Sequence, residues 1–117
     1  MTKKFSNARK TDCAHGHTHA SKREAQRCND LHLLEKDGQI AGLTISPKFY
    51  FEIRGVPVKF PNGRRVGYTA DFGYVERGVK VIEESKPDRK QARSRDYALR
   101  IAIARALYPT LEFREVA

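Results

Sequence analysis

The sequence predicts a mixed α/β domain in the order α-β-β-β-β-α-β, two helices flanking a mixed sheet. Three observations predict it. The run Ser21-Lys22-Arg23-Glu24 is a capping box ahead of a helix-forming stretch to Asp37. The stretch Tyr68 to Pro87 reads as a β-hairpin folded about Glu76-Arg77-Gly78. An Ala-, Arg-, Leu- and Ile-rich helix ends at Tyr108-Pro109, and L-E-F-R-E-V then alternates with period two as a last strand.

Residues 1–12 are polar and basic and read as a mobile arm, leaving 13–117 as one domain. At 117 residues the chain can bury roughly two-thirds of its unfolded surface. In the first helix Ala25, Cys28, Leu31 and Leu34 or Glu35 mark the inner stripe, and Gly38 suits its stop. A strand follows near Leu43 to Ile45. K-F-Y-F-E-I-R and V-P-V-K-F read as two strands joined around Gly55, Pro57 pushing the second to an edge. Pro61-Asn62-Gly63 is a turn. The hairpin arms run Val66 to Val75 and Val79 to Ser85, and the second helix spans about Lys90 to Leu107.

No apolar run approaches the roughly 20 residues of a membrane span, and the N-terminus lacks the hydrophobic core of a signal peptide. A cytoplasmic protein is the expectation, with Cys13 and Cys28 as reduced thiols or ligands rather than a bridge. Twenty-three Lys and Arg against fourteen Asp and Glu leave a net charge of +9, which favours a polyanionic partner. The excess is clustered at Lys3, Lys4, Arg9 and Lys10, at Lys22, Arg23 and Arg27, at Arg64 and Arg65, and from Lys86 to Arg95.

The hairpin carries the chemistry. A two-residue turn at Arg77-Gly78 sets Glu76 opposite Val79 and Asp71 opposite Glu84, with Cβ atoms of opposed residues about 5 Å apart. Lys86, two residues past Glu84, projects to that same face. Two like charges this close ask for a cation between them, so a divalent metal is the expected guest. Glu83 is the competing acid, and a one-residue slip in register would exchange it with Glu84. Glu24 reads equally as a cap residue and as a third acid. Cys13, His15, His17, His19 and Cys28 are a candidate zinc cluster, with Cys13, His15, His17 and Cys28 as its ligand set. The alternating spacing matches no standard finger, however, and reads first as strand or loop histidines near DNA. His19, just before the helix, is expected near a phosphate.

An ordered set of segments carries a family likeness: H-x-H-A-S-K-R-E-A-Q-R-C, then L-E-K-D-G-Q-I-A-G-L-T-I-S-P-K-F, Y-T-A-D-F-G-Y-V, V-I-E-E-S-K and R-A-L-Y-P-T-L-E-F-R-E-V. Over Cys13 to Val116 the chain resembles the PD-(D/E)xK nuclease superfamily. It looks most like a small phage and prophage family within it, related to RecB-type nucleases and Holliday-junction resolvases. Ala70 stands where the superfamily name has Pro, Ser46 precedes Pro47 where Gln is expected, and Ser85-Lys86-Pro87 replaces Val-Lys-Gly.

The resemblance implies a restriction-endonuclease-like core, α-β-β-β-α-β with an extra strand. It implies Mg²⁺ (or Mn²⁺) held by Asp71, Glu84, the Ser85 carbonyl and Glu24, with Lys86 orienting the attacking water. The implied activity is endonucleolytic hydrolysis of DNA, branched DNA included, by a phage-encoded, resolvase-like homodimer in the bacterial cytoplasm. His19, Lys22, Arg23, Arg89, Lys90, Arg93 and Arg95 are the expected nucleic-acid contacts. The alternative is a nucleic-acid-binding or host-interaction (anti-defence) protein on the same fold with weak or lost cleavage.

Overall fold

Helix α1, Lys22–Lys36, begins where the capping signal places it, because the Ser21 side chain accepts the Glu24 amide at 3.1 Å. Its end is closed by Gly38 at φ 82°, a left-handed conformation that glycine enters without Cβ strain, and Gln39 donates its N–H to the Leu34 carbonyl. The structure is a computed structural model and describes residues 11–19, 21–85 and 95–116.

The strands are β1 (Thr11–Asp12), β2 (Thr18–His19), β3 (Ala41–Ile45), β4 (Lys48–Tyr50), β5 (Glu52–Ile53), β6 (Val56–Pro57), β7 (Gly67–Thr69), β8 (Phe72–Glu76), β9 (Val79–Ser85) and β10 (Glu112–Val116). Helix α2, Arg95–Leu107, lies between β9 and β10. A four-stranded sheet in the order β10-β9-β8-β3 forms the centre, with β10 parallel to β9 and the other pairs antiparallel. The chain is therefore a small mixed α/β domain with two helices flanking a multi-strand sheet.

The turn between β8 and β9 is the two-residue kind, with Arg77 at φ 51° and Gly78 at φ 78°. Its register pairs Glu76 with Val79 and Phe72 with Glu83. Alternation along these strands then sends side chains to two faces. On one face Phe72, Tyr74 and Val81 pack with Ala25, Cys28 and Leu31 of α1. On the other, Ile82 packs with Tyr68, Ala70, Phe51 and Ala104 of α2.

Two expected strands are each divided. The arm Val66 to Val75 breaks at Ala70-Asp71 into β7, which pairs with β4, and β8, which pairs with β3. The cause lies in the partner, where Ser46 at φ 52° and Pro47 interrupt the ladder. Ser46 N–H donates to the Asp71 carbonyl and Ala70 N–H to the Pro47 carbonyl across the break. The stretch Lys48 to Arg54 breaks at Phe51, which is buried in the α2-side core while its backbone bonds Val66 and Val58. The first ten residues of the expected basic arm lie outside the described residues, and Thr11 and Asp12 form β1, paired with β2. Among the described residues no helix is long and apolar enough to cross a membrane.

Candidate functional site

Three carboxyl side chains near the open end of the β8-β9 hairpin feel one another's charge. Asp71 sits in the break before β8, and its Oδ2 accepts the Ser85 N–H at 2.8 Å. This amide belongs to the residue whose carbonyl the resemblance assigns to a metal. Glu84 lies on β9 and accepts a short hydrogen bond from the Tyr68 hydroxyl. Glu24 reaches in from the first turn of α1, where its Oε2 lies 2.9 Å from His19 Nδ1. The reciprocal half of the capping box is thus given up, since the Glu24 side chain turns to His19.

Burial pushes the Asp71 carboxyl up; the Ser85 N–H opposes this, and Glu24, close in charge and hydrogen bonding, adds to it. Burial likewise pushes Glu84 up to about 7, opposed by the Tyr68 hydroxyl and reinforced by Asp71, Glu24 and Glu115. Tyr97 of α2, itself pushed up to about 12 by burial and then by Glu84 and Glu115, closes the group on the helix side.

Glu83 has a different occupation. It is fully buried on the α1 side, held by Arg27 through two hydrogen bonds of 2.7 and 2.8 Å and by the Tyr74 hydroxyl at 2.5 Å. A carboxylate with every oxygen so engaged is part of the core.

Beside the carboxyls lies a basic cleft of about 470 Å³ lined by Lys48, Tyr50, Arg64, Arg65, Thr69 and Arg100. Gly67, Thr69 and Arg100 also line the adjoining pocket of about 340 Å³ that contains Glu84, Asp96 and Tyr97. Arg100 is fixed there, donating to the Gly67 carbonyl at 2.7 Å and to Asp96 at 3.0 Å. The sequence displayed Arg64 and Arg65 only as a charge cluster. The β4-β7 pairing and α2 are what bring them into line with Lys48 and Arg100.

Of the expected nucleic-acid contacts, Lys22 and Arg23 are exposed on the first turn of α1. Lys86, Arg89, Lys90 and Arg93 lie outside the described residues, and Arg95 is the first residue of α2. His19, expected near a phosphate, is buried, 2% exposed, with its ring nitrogen bonded to Glu24.

It turns toward the one group of His, Cys, Asp or Glu among the described residues whose ligand atoms all lie within 4.8 Å of one another: Cys13, His17, His19 and Cys28. His17 Nδ1 is 3.4 Å from the Cys13 sulfur and 3.5 Å from the Cys28 sulfur. His15, expected in this set, instead stacks on His32 with ring centres 3.8 Å apart. His19 takes its place because β1 and β2 pair antiparallel and direct His19 at α1, while His15 sits at the tip of the connecting turn.

This cluster corrects the expected metal. Magnesium or manganese, hard ions served by oxygen, were expected first, at Asp71, Glu84, Ser85 and Glu24. The group the fold draws together is two sulfurs and two imidazoles, a zinc-type ligand set. Glu24, Asp71 and Glu84 do not form such a group among the described residues.

Burial pushes the Cys13 thiol up, but backbone hydrogen bonds at His15 and His17, with His19 and Cys28, outweigh it and hold the thiol down at about 6. Cys28 is pushed up to about 12 by burial and by Cys13. No family model matches the chain, and neither the curated proteins nor the solved structures contain a match to it.

Proposed function

We propose that this domain binds a nucleic-acid backbone along the basic cleft and hydrolyses its phosphodiester bonds at Glu84, Asp71 and Glu24, on a core of the PD-(D/E)xK nuclease type. The observation that carries the reading is the continuity of the two pockets. Lys48, Arg64, Arg65 and Arg100 line a cleft that shares Gly67, Thr69 and Arg100 with the pocket of Glu84. Cations leading to a carboxyl group are the arrangement a polyanion needs to approach acids that would otherwise repel it.

The element order supports the core assignment: a helix, antiparallel β3, β8 and β9, a second helix, and β10 parallel to β9. Asp71 and Glu84 stand at the positions that the superfamily's acids occupy in sequence, and Lys86 follows Glu84 by two residues. The carboxyl oxygens are not gathered as a ready-made ion site, so the roles rest on the chain's own groups. Glu84, titrating near neutrality and steadied by Tyr68, accepts a proton from the attacking water. Asp71, whose carboxyl is pushed up by burial first and then by Glu24, stands near it and is held by the Ser85 N–H. Arg100 offsets charge at the phosphate from the cleft side, and Lys86 is assigned the same task.

The test is cleavage of supercoiled plasmid, single-stranded DNA, four-way-junction DNA and RNA by the protein as purified without chelator, with and without added divalent salts. Nicking that is lost in Asp71→Asn and Glu84→Gln while binding persists is the expected result. Binding without cleavage under every condition would establish the alternative, a nucleic-acid-binding protein. One observation favours that alternative: Ser85 N–H already occupies an Asp71 oxygen. Absence of both binding and cleavage overturns both readings.

A further inference from the structure

We propose that Cys13 Sγ, His17 Nδ1, His19 Nε2 and Cys28 Sγ bind one zinc ion as a closed four-ligand centre, and that this centre positions Glu24 through the His19 ring. Neither half depends on hydrolysis taking place at Glu24.

Three independent observations converge. The first is spacing. A tetrahedral zinc with Zn–S about 2.3 Å and Zn–N about 2.0–2.1 Å sets sulfur and nitrogen about 3.6 Å apart. His17 Nδ1 stands 3.4 and 3.5 Å from the two sulfurs, and all four ligand atoms fall within 4.8 Å of one another.

The second is an unpartnered nitrogen. His19 is buried, its Nδ1 is engaged by Glu24 at 2.9 Å, and its Nε2 is buried with no hydrogen-bond partner. A buried ring nitrogen left without a partner carries an uncompensated desolvation cost. Coordination removes that cost, since the Nδ1–H given to Glu24 leaves the Nε2 lone pair facing the cluster.

The third is the state of the cysteines. Cys13 and Cys28 are buried and free, although their sulfurs approach closely enough to share a ligand sphere. A zinc ion would take both sulfurs as thiolates.

Four protein ligands leave no open position, so the centre is structural and activates no water. What it does is mechanical. It ties the β1-β2 hairpin to Cys28 in the middle of α1, and α1 carries Glu24. The carboxylate that orients His19 is the same one that reaches Asp71, so the metal and the acid group share a residue. Such a carboxylate behind a ligating histidine typically changes metal affinity by about 10- to 100-fold.

Metal content of protein purified without chelator, with competition by a chromophoric zinc chelator, tests the proposal. One zinc per chain is expected, and cobalt put in its place should give the intense visible bands of a tetrahedral ion with thiolate charge transfer. Glu24→Ala should weaken zinc binding about 10- to 100-fold. Glu24→Gln, whose amide oxygen still accepts the Nδ1–H, should restore it, and His15→Ala should leave it unchanged. Cys28→Ser should lose the ion; should that variant not fold, the wild-type stoichiometry and cobalt spectrum still decide.

Protein that retains no zinc and gives octahedral cobalt overturns the proposal. A loss in His15→Ala equal to that in Glu24→Ala overturns the ligand assignment. Equal zinc affinity in Glu24→Ala and wild type overturns the positioning half. A Glu24→Gln variant that keeps zinc and also keeps full cleavage would sink the catalytic role of Glu24 while leaving the zinc centre standing.

Discussion

Arg27 meets Glu83 through two parallel hydrogen bonds, Nε to Oε2 at 2.7 Å and Nη2 to Oε1 at 2.8 Å, beneath a sheet where Glu83 has no solvent exposure. This pair fastens α1 to the central hairpin and separates the roles of two adjacent acids. Glu83 is neutralised in the core, whereas Glu84, on the opposite face, meets Tyr68, Asp71 and the pocket.

Removing the cation should therefore be costly. Arg27→Ala leaves Glu83 buried and uncompensated, and a loss of about 3 kcal/mol in urea unfolding is expected. Replacing both partners, Arg27→Met with Glu83→Gln, should recover much of it, because the Tyr74 hydroxyl can still donate to the amide oxygen. Equal losses in the single and double variants would remove the pair from the account of stability.

Gly67 answers a steric demand. A Cβ there would meet the Phe49 carbonyl oxygen at 2.5 Å, a backbone atom of the paired strand that cannot turn aside. Gly67→Ala should lose about 1–3 kcal/mol and loosen the floor of the cleft. Gly78→Ala offers a contrast: nothing lies within 4 Å, and only the positive φ of 78° is strained, so about 1–2 kcal/mol is expected. Thermal unfolding of both variants, with nucleic-acid affinity measured alongside, separates the effects. Only Gly67→Ala should reduce affinity.

Stability should fall as pH rises through the interval from 4.5 to about 7. Over that range the unfolded chain has released the Glu84 proton while the folded protein keeps it, so the folded state binds more protons. Asp71, also raised and by burial first, acts in the same direction. Glu84→Gln should flatten this slope and stabilise the protein above pH 7 by on the order of 2 kcal/mol, solvent screening included. Urea unfolding of both proteins at pH 5 and pH 8 checks it, and an unchanged slope in the variant would place the titration elsewhere.

Salt dependence reports the cleft. If Lys48, Arg64 and Arg65 each neutralise a phosphate, each alanine variant should reduce the slope of log K against log salt by about 0.7–0.9. Lys36→Ala, at the C-terminal end of α1, should leave the slope unchanged. Fluorescence anisotropy with a labelled oligonucleotide between low and moderate salt supplies the measurement. Slopes that ignore all three cleft residues would move the nucleic-acid surface off this face.

The local elements were determined by sequence alone because their signals are local. Ser21 and Glu24 set the start of α1, Gly38 its end, and Arg77-Gly78 the turn whose register separates Glu83 from Glu84. Long-range geometry was not legible. Nothing in a linear run states that Ser46 and Pro47 would divide the arm containing Asp71 and leave its acid facing an amide. Nor does it state that Lys48 and Arg100 would share a cleft with Arg64 and Arg65.

The histidines show the limit most sharply. The alternating spacing of His15, His17 and His19 matches no standard finger, and from sequence His15 rather than His19 stands among the candidate ligands, because coordination depends on where three separate segments meet. The pairing of β1 with β2, and the seating of that hairpin against Cys28, decided that His19 enters the cluster and His15 stays outside. Chain propensities set which elements form; only their packing set which sulfur, nitrogen and oxygen atoms came within reach of one another.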